Sequence, residues 1–92
     1  MLYLVVYDIA DPRRLVRVAR VLEDYGLRVQ LSVFEAELEP SSLATLQARL
    51  GGIIDPAEDG VKFFPLCAGC LQRIEVYGQG TLPEAQARFL VF

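Results

Sequence analysis

The sequence predicts an α+β domain in which two helices pack on one face of a mainly antiparallel sheet. Strand-like segments alternate with two segments of helical period, in the order strand, helix, one or two strands, helix, strand, strand. At 92 residues, 53% of them hydrophobic, the chain is long enough for one core and too short for two. No repeat, linker or low-complexity stretch interrupts it, so residues 1–92 read as a single domain.

The first strand is LYLVVYDI, residues 2–9, apolar up to Asp8 and rich in β-branched and aromatic types, as suits a central strand covered on both faces. Asp11 followed by Pro12 starts a helix: the carboxylate is the N-cap, and proline takes the first helical position, where no amide hydrogen is needed. This helix is predicted to run to about Tyr25 and to end at Gly26. Leu15, Val18, Ala19, Leu22 and Tyr25 form its buried stripe, with Arg13, Arg17 and Arg20 on another face. In LRVQLSVFEAEL the apolar positions are odd at Val29, Leu31 and Val33, then even at Phe34, Ala36 and Leu38, leaving Glu35, Glu37 and Glu39 opposite. A straight strand cannot change parity without turning its core face to water, so a bulge or break is predicted between Ser32 and Phe34.

Pro40, Ser41 and Ser42 introduce a second helix with Leu43, Leu46 and Leu50 inward, stopping at Gly51 and Gly52. DPAEDG then reads as a solvated turn, and VKFFPL and LQRIEVYG as two further strands joined through CAGC. The chain closes on FLVF. Residues 80–92 are expected to form a C-terminal strand extension packed on a partner subunit, because an uncovered apolar strand is an aggregation hazard. This order of elements is that of a ferredoxin-like sandwich.

Composition narrows the chemistry. With no histidine, a Ser-His-Asp triad, a Cys-His pair, a histidine ligand and a histidine base are all excluded. An enzyme built from this chain works with carboxylates, a metal, or hydroxyl groups. The net charge of -3 argues against a generally basic binder, yet five arginines, Arg13, Arg14, Arg17, Arg20 and Arg28, fall within the first 28 residues. No apolar run is long enough to span a bilayer and no signal-peptide pattern is present, so a cytoplasmic location with no membrane contact is expected. Cys67 and Cys70 are then expected to be reduced thiols, unless the source is a hyperthermophile.

Among individual residues, Asp8 is the strongest candidate for chemistry. An aspartate at a strand end usually orders the following turn, but Asp11 is better placed for that task. A carboxylate where a central strand emerges beside a basic helix is well placed to hold a hard cation that also touches phosphate. Arg13, Arg14, Arg17 and Arg20 read either as a solvated face or as a set that tracks phosphates. The CxxC pair lacks a second pair or a histidine for zinc, and reads as small turn residues or a redox-sensitive pair. Phe63 and Phe64 lack the glycine-flanked signature of an RNA-recognition strand and are assigned to the core.

Taken together, VVYDI, the arginine-containing helix after it, YGLRVQLSVFEAEL and RIEVYG resemble the small CRISPR-associated proteins of the Cas2 family. The resemblance covers nearly the whole chain. It implies a ferredoxin-like fold, a two-fold homodimer, and a role in spacer acquisition, and so in defence against foreign nucleic acid, beside the Cas1 integrase. It further implies a metal-dependent endonuclease acting on RNA or duplex DNA, using Mg²⁺ with Mn²⁺ as the alternative. On the matching positions Asp8 would be the catalytic and metal-binding aspartate, facing its mate across the dimer axis, with Tyr7, Arg17, Ser32 and Phe34 as supporting neighbours. The rival reading is a non-catalytic dimeric scaffold that holds DNA for the integrase, in which Asp8 is structural. A ferredoxin-like ligand-binding module unrelated to CRISPR is a third reading, by fold analogy alone.

Overall fold

The computed structural model describes residues 1–75 together with 77 and 78. Their elements are β1 (Leu2–Asp8), α1 (Pro12–Glu23), β2 (Leu27–Gln30), β3 (Val33–Glu37), α2 (Pro40–Gly51), β4 (Gly60–Leu66) and α3 (Ala68–Leu71). The strands form one sheet in the order β2-β3-β1-β4, every neighbouring pair antiparallel, which is the ferredoxin-like arrangement expected. β1 is central because it carries the apolar run that only a strand flanked on both sides can use.

Register fixes the two faces. Val5 lies opposite Phe34 on β3 and Phe63 on β4, and Tyr7 opposite Val61. These side chains meet Val18 and Leu22 of α1 and Leu46 and Leu50 of α2 in the core between sheet and helices. Val5, Val18, Leu22, Phe34 and Leu46 are fully enclosed. Truncating one of the larger of them to alanine would cost about 2 to 5 kcal/mol through lost burial and the cavity left behind. By the two-residue alternation of strands, the other face presents Leu4, Val6 and Asp8 of β1, Val33 of β3, and Lys62 and Phe64 of β4.

The Asp11 cap forms as predicted: its carboxylate accepts from the Arg14 N–H at 3.0 Å, and Pro12 opens α1. The parity switch resolves as two short strands. Leu31 and Ser32 make a turn, Ser32 takes a positive φ of 65°, and the β2–β3 register shifts between Arg28 and Gln30. Leu31 accordingly lies 84% exposed at the turn, outside the apolar pattern.

Several expectations are corrected. α1 ends at Glu23, short of Tyr25, while Gly26 still closes the helix end through its N–H to the Leu22 carbonyl at 3.0 Å and has a second reason to be glycine: a Cβ there would overlap the Glu35 carbonyl oxygen and stand 2.8 Å from its carbon. Glycine lets the chain after α1 lie against the backbone of β3. Glu35 is 4% exposed, so only Glu37 and Glu39 of the three glutamates face water. Phe63 packs against the core while Phe64 is 46% exposed on the helix-free face, since adjacent strand residues point opposite ways. The predicted strand LQRIEVYG is not one over its described residues up to Glu75: Leu71 ends α3, Gln72 and Arg73 are turn, and Ile74 and Glu75 are in neither helix nor strand. The cause is local, because Cys67 caps α3 and commits CAGC to a helical turn where a strand connection was expected. Val76 and the tail at 80–92 lie outside the described residues.

A candidate carboxylate site at the end of the first strand

Four aspartates gather where β1 gives way to α1, and the structure assigns each a different part. Asp11 caps α1. Asp55 accepts from the Ala57 N–H at 3.0 Å and shapes the turn before β4. Asp59 does most. Its carboxylate accepts from the Ala10 N–H at 2.9 Å, the Asp55 N–H at 2.8 Å and Arg14 Nε at 2.7 Å. It thereby ties together the turn after β1, the first turn of α1 and the loop before β4.

The Asp59 side chain is 0% exposed, so DPAEDG is not the wholly solvated turn its sequence suggests. A carboxylate removed from water needs compensation, and Asp59 receives it from Arg14 and from two backbone amides. The Arg14 hydrogen bond, joined by those of Asp55 and Ala10, outweighs burial and holds the Asp59 carboxyl well below the usual carboxylate range. The same pairing with Asp59, with a smaller share from Glu58 at 3.1 Å, raises the Arg14 guanidinium above its ordinary value. Arg14 is thus engaged within the chain, and Arg13, Arg17 and Arg20 are the exposed arginines of α1 that make no ion pair among the described residues.

Asp8 has no such part in folding. It ends β1 opposite Gly60, and its side chain is exposed and makes no hydrogen bond or ion pair among the described residues. It borders a cleft of about 370 Å³ with Glu58, Asp59, Gly60 and Lys62. Lys62 is the residue that sequence reasoning missed. It pairs with Val6 and so stands diagonally across from Asp8 on the same face, with Cα atoms about 7 to 8 Å apart by strand geometry. Only knowledge that β4 runs beside β1 reveals it.

Of the residues expected to support Asp8, Tyr7, Ser32 and Phe34 lie against the end of β1, and none of them hydrogen-bonds the Asp8 carboxylate among the described residues. Tyr7 is buried beside Phe34, ring centroids 6.1 Å apart, and Arg28 lies 5.1 Å above the Phe34 ring. The Ser32 carbonyl accepts from the Tyr7 N–H at 3.1 Å, a contact that the left-handed Ser32 turn sets up. The end of β1 is therefore gripped on both edges. Arg13 stands in the first turn of the helix that follows Asp8, while Arg17 and Arg20 lie farther along it, Arg20 roughly 10 Å beyond Arg13. A second cleft of about 270 Å³, between Leu15 and Val16 of α1 and Leu31 and Ser32, is mainly apolar, with Arg28 at its wall.

No three histidine, cysteine, aspartate or glutamate side chains among the described residues cluster to cage a metal, so a cation held here by one chain would have a single free carboxylate, such as that of Asp8, as its protein donor. That donor set suits a hard cation such as Mg²⁺, which keeps several waters and takes one or two protein carboxylates together with substrate phosphate.

Comparison with known proteins gives consistent results. The family model described as CRISPR associated protein Cas2 matches residues 1–74. A Synechocystis protein named CRISPR-associated endoribonuclease Cas2 3 is 40% identical over 90 residues, spanning 98% of each chain. The crystal structure of Streptococcus pyogenes Cas2 superposes with a TM-score of 0.76 at 38% identity, covering 85% of this chain and all, 100%, of that one. A chain of a partial Cas6-RT-Cas1–Cas2 complex superposes with a TM-score of 0.74 at 28% identity, covering 82% of each.

Proposed function

The chain belongs to the CRISPR-associated Cas2 family, and on that premise we propose that it is a divalent-cation-dependent endonuclease of spacer acquisition, with Asp8 as its catalytic and metal-binding carboxylate. One observation carries the reading: of the four aspartates around the β1–α1 turn, Asp8 alone has a side chain with no hydrogen bond or ion pair among the described residues, so folding does not account for its carboxylate. An exposed carboxylate on a strand end held by Tyr7, Ser32 and Phe34 is a fixed ligand free for use.

A homodimer supplies what one chain lacks. Asp8 shares the helix-free face with Leu4, Val6, Val33 and the exposed Phe64, a largely apolar surface that a second copy would cover. Stacking two such faces about a two-fold axis brings Asp8 toward its mate. When bound between them, Mg²⁺ (or Mn²⁺) would neutralise charge on the scissile phosphate and acidify a water to serve as nucleophile. Asp8 holds the cation by charge. Lys62 sits beside it with an exposed ammonium that can pair with a phosphate oxygen. Arg13, Arg17 and Arg20 bind the backbone of RNA or duplex DNA along α1 without reading its sequence.

The similarity to a chain of a Cas1–Cas2 complex supports the Cas1 integrase as partner. Among the described residues no helix is long and apolar enough to cross a membrane. The test is Asp8→Asn, which keeps size and removes charge, assayed on highly purified protein with RNA and with duplex DNA, with Mg²⁺ and with chelator. Mg²⁺-dependent cleavage should be abolished while duplex affinity persists. Cleavage that survives the substitution refutes the Asp8 mechanism. Absence of cleavage in both proteins, alongside DNA binding and a complex with Cas1, would favour the scaffold.

A further inference from the structure

Two thiols stand at the opposite end of the sheet from Asp8. β4 runs antiparallel to β1, so Gly60 faces Asp8 and Leu66 faces Leu2, and Cys67 follows directly. Six strand steps separate Gly60 from Leu66, about 20 Å, and Cys67 lies one residue farther from Asp8. Cys67 caps α3: its Sγ accepts from the Cys70 N–H at 3.3 Å, and the two sulfurs lie 3.2 Å apart. Leu71 is buried, which anchors α3, while both cysteines are free and exposed.

Packing does not explain this pair, since neither sulfur contributes to the core and free cysteine ordinarily does. Capping does not explain it either, because serine, threonine, aspartate or asparagine caps a helix with a better acceptor. What the turn achieves is convergence. A disulfide needs sulfurs at about 2.05 Å, so closing the pair requires an approach of little more than 1 Å, within reach of side-chain rotation.

We propose that Cys67 and Cys70 form a redox-active dithiol that closes reversibly to an intramolecular disulfide by exchange with low-molecular-weight disulfides, with Cys67 as the attacking thiol. The Cys67 thiolate attacks one sulfur of the small disulfide and expels a thiolate, leaving a mixed disulfide. Cys70 loses its proton to solvent, attacks Cys67 Sγ and expels the second small thiolate. Two protein thiols and one small disulfide become one protein disulfide and two small thiols, the two electrons passing to the reagent. The order of attack follows from the turn: the hydrogen bond to Cys70, and then the backbone N–H groups of the turn, draw the Cys67 thiol below its ordinary value.

The test equilibrates the whole protein with glutathione buffers of rising disulfide content, traps free thiols by alkylation and reads the masses. Both alkylation sites should disappear together, with loss of two hydrogens, an internal link between residues 67 and 70, and no covalent dimer on a non-reducing gel. Cys70→Ser should accumulate a glutathione adduct on Cys67, and Cys67→Ser should acquire its adduct on Cys70 more slowly. Asp8→Asn should titrate as the native protein does, which separates this inference from the nuclease assignment. Thiols that stay fully alkylatable in the most oxidising buffer, cross-linking between chains, or faster reaction at Cys70 would each overturn it.

Discussion

Gly26→Ala tests how closely the segment after α1 is laid against the sheet. The added methyl would overlap the Glu35 carbonyl oxygen and lie 2.8 Å from its carbon and 3.0 Å from Ala36 Cα. Ordinary carbon contacts begin near 3.5 Å, so the segment must retract by roughly 1 Å or more. The obstacle is backbone, and it cannot swing aside, because Glu35 is paired to Leu4 on one side and Leu27 on the other. Overpacking of this kind costs about 1 to 3 kcal/mol, and the rigidity of β3 places this case at the top of that range. Alanine returns about 0.4 to 1 kcal/mol by restricting the unfolded chain, leaving a net loss of about 2 kcal/mol. For a domain of this size that lowers the melting temperature by about 8 to 16 °C. Thermal and urea melts at one fixed protein concentration measure it, with Gly51→Ala as control, since a Cβ at Gly51 meets nothing within 4 Å. The control should melt at or slightly above the native temperature. A Gly26→Ala protein that melts within 2 °C of native, well short of that fall, would refute the close approach as the reason for glycine.

Replacing Arg13, Arg17 and Arg20 together with glutamine should flatten the salt dependence of duplex binding by up to about 2.7 units of slope, each lost phosphate contact removing about 0.9, and should leave melting unchanged. An unaltered slope would make them a solvated face. Acid stability should depend on Asp59. Because Arg14 lowers its carboxyl in the folded state, the unfolded chain binds the proton more readily. The stabilisation is therefore fully present above the ordinary carboxylate pKa near 4 and is lost as pH falls through and below it. Asp59→Asn should lower the melting temperature at pH 7 and flatten its decline between pH 6 and pH 3, read by melts across that interval. A native-like acid profile in the variant would dissociate Asp59 from the effect.

What local signals could carry, the sequence carried. β1, the Asp11 cap with Pro12, the inward leucines of α2 and the break near Ser32 all follow from patterns within one or two turns of chain. Asp8 stood out for a reason that holds in the fold, since Asp11 does cap α1. What stayed hidden depends on distant partners. Nothing near Asp59 announces that Arg14, 45 residues earlier, will meet it, so an acidic turn read as solvated and Arg14 read with its neighbours. Lys62 joins the cleft only through the β1–β4 register. Gly26 follows a helix, where glycine is commonplace, and its purpose shows only once β3 lies across it. In LQRIEVYG, isoleucine, valine and tyrosine signal a strand, but the Cys67 cap reaches in from outside the segment and takes its first residue into α3.

The clasp made by Asp59 also says what this corner of the domain would tolerate at the bench. Turn, helix start and loop are fastened by Asp59, Arg14 and Asp11, all independently of the side chain at position 8. Position 8 is therefore an interchangeable mount: glutamate, cysteine or histidine could be installed there with the surrounding geometry kept. A small library at that one position would present different donor atoms to the same cleft, making the domain a starting point for designed metal sites.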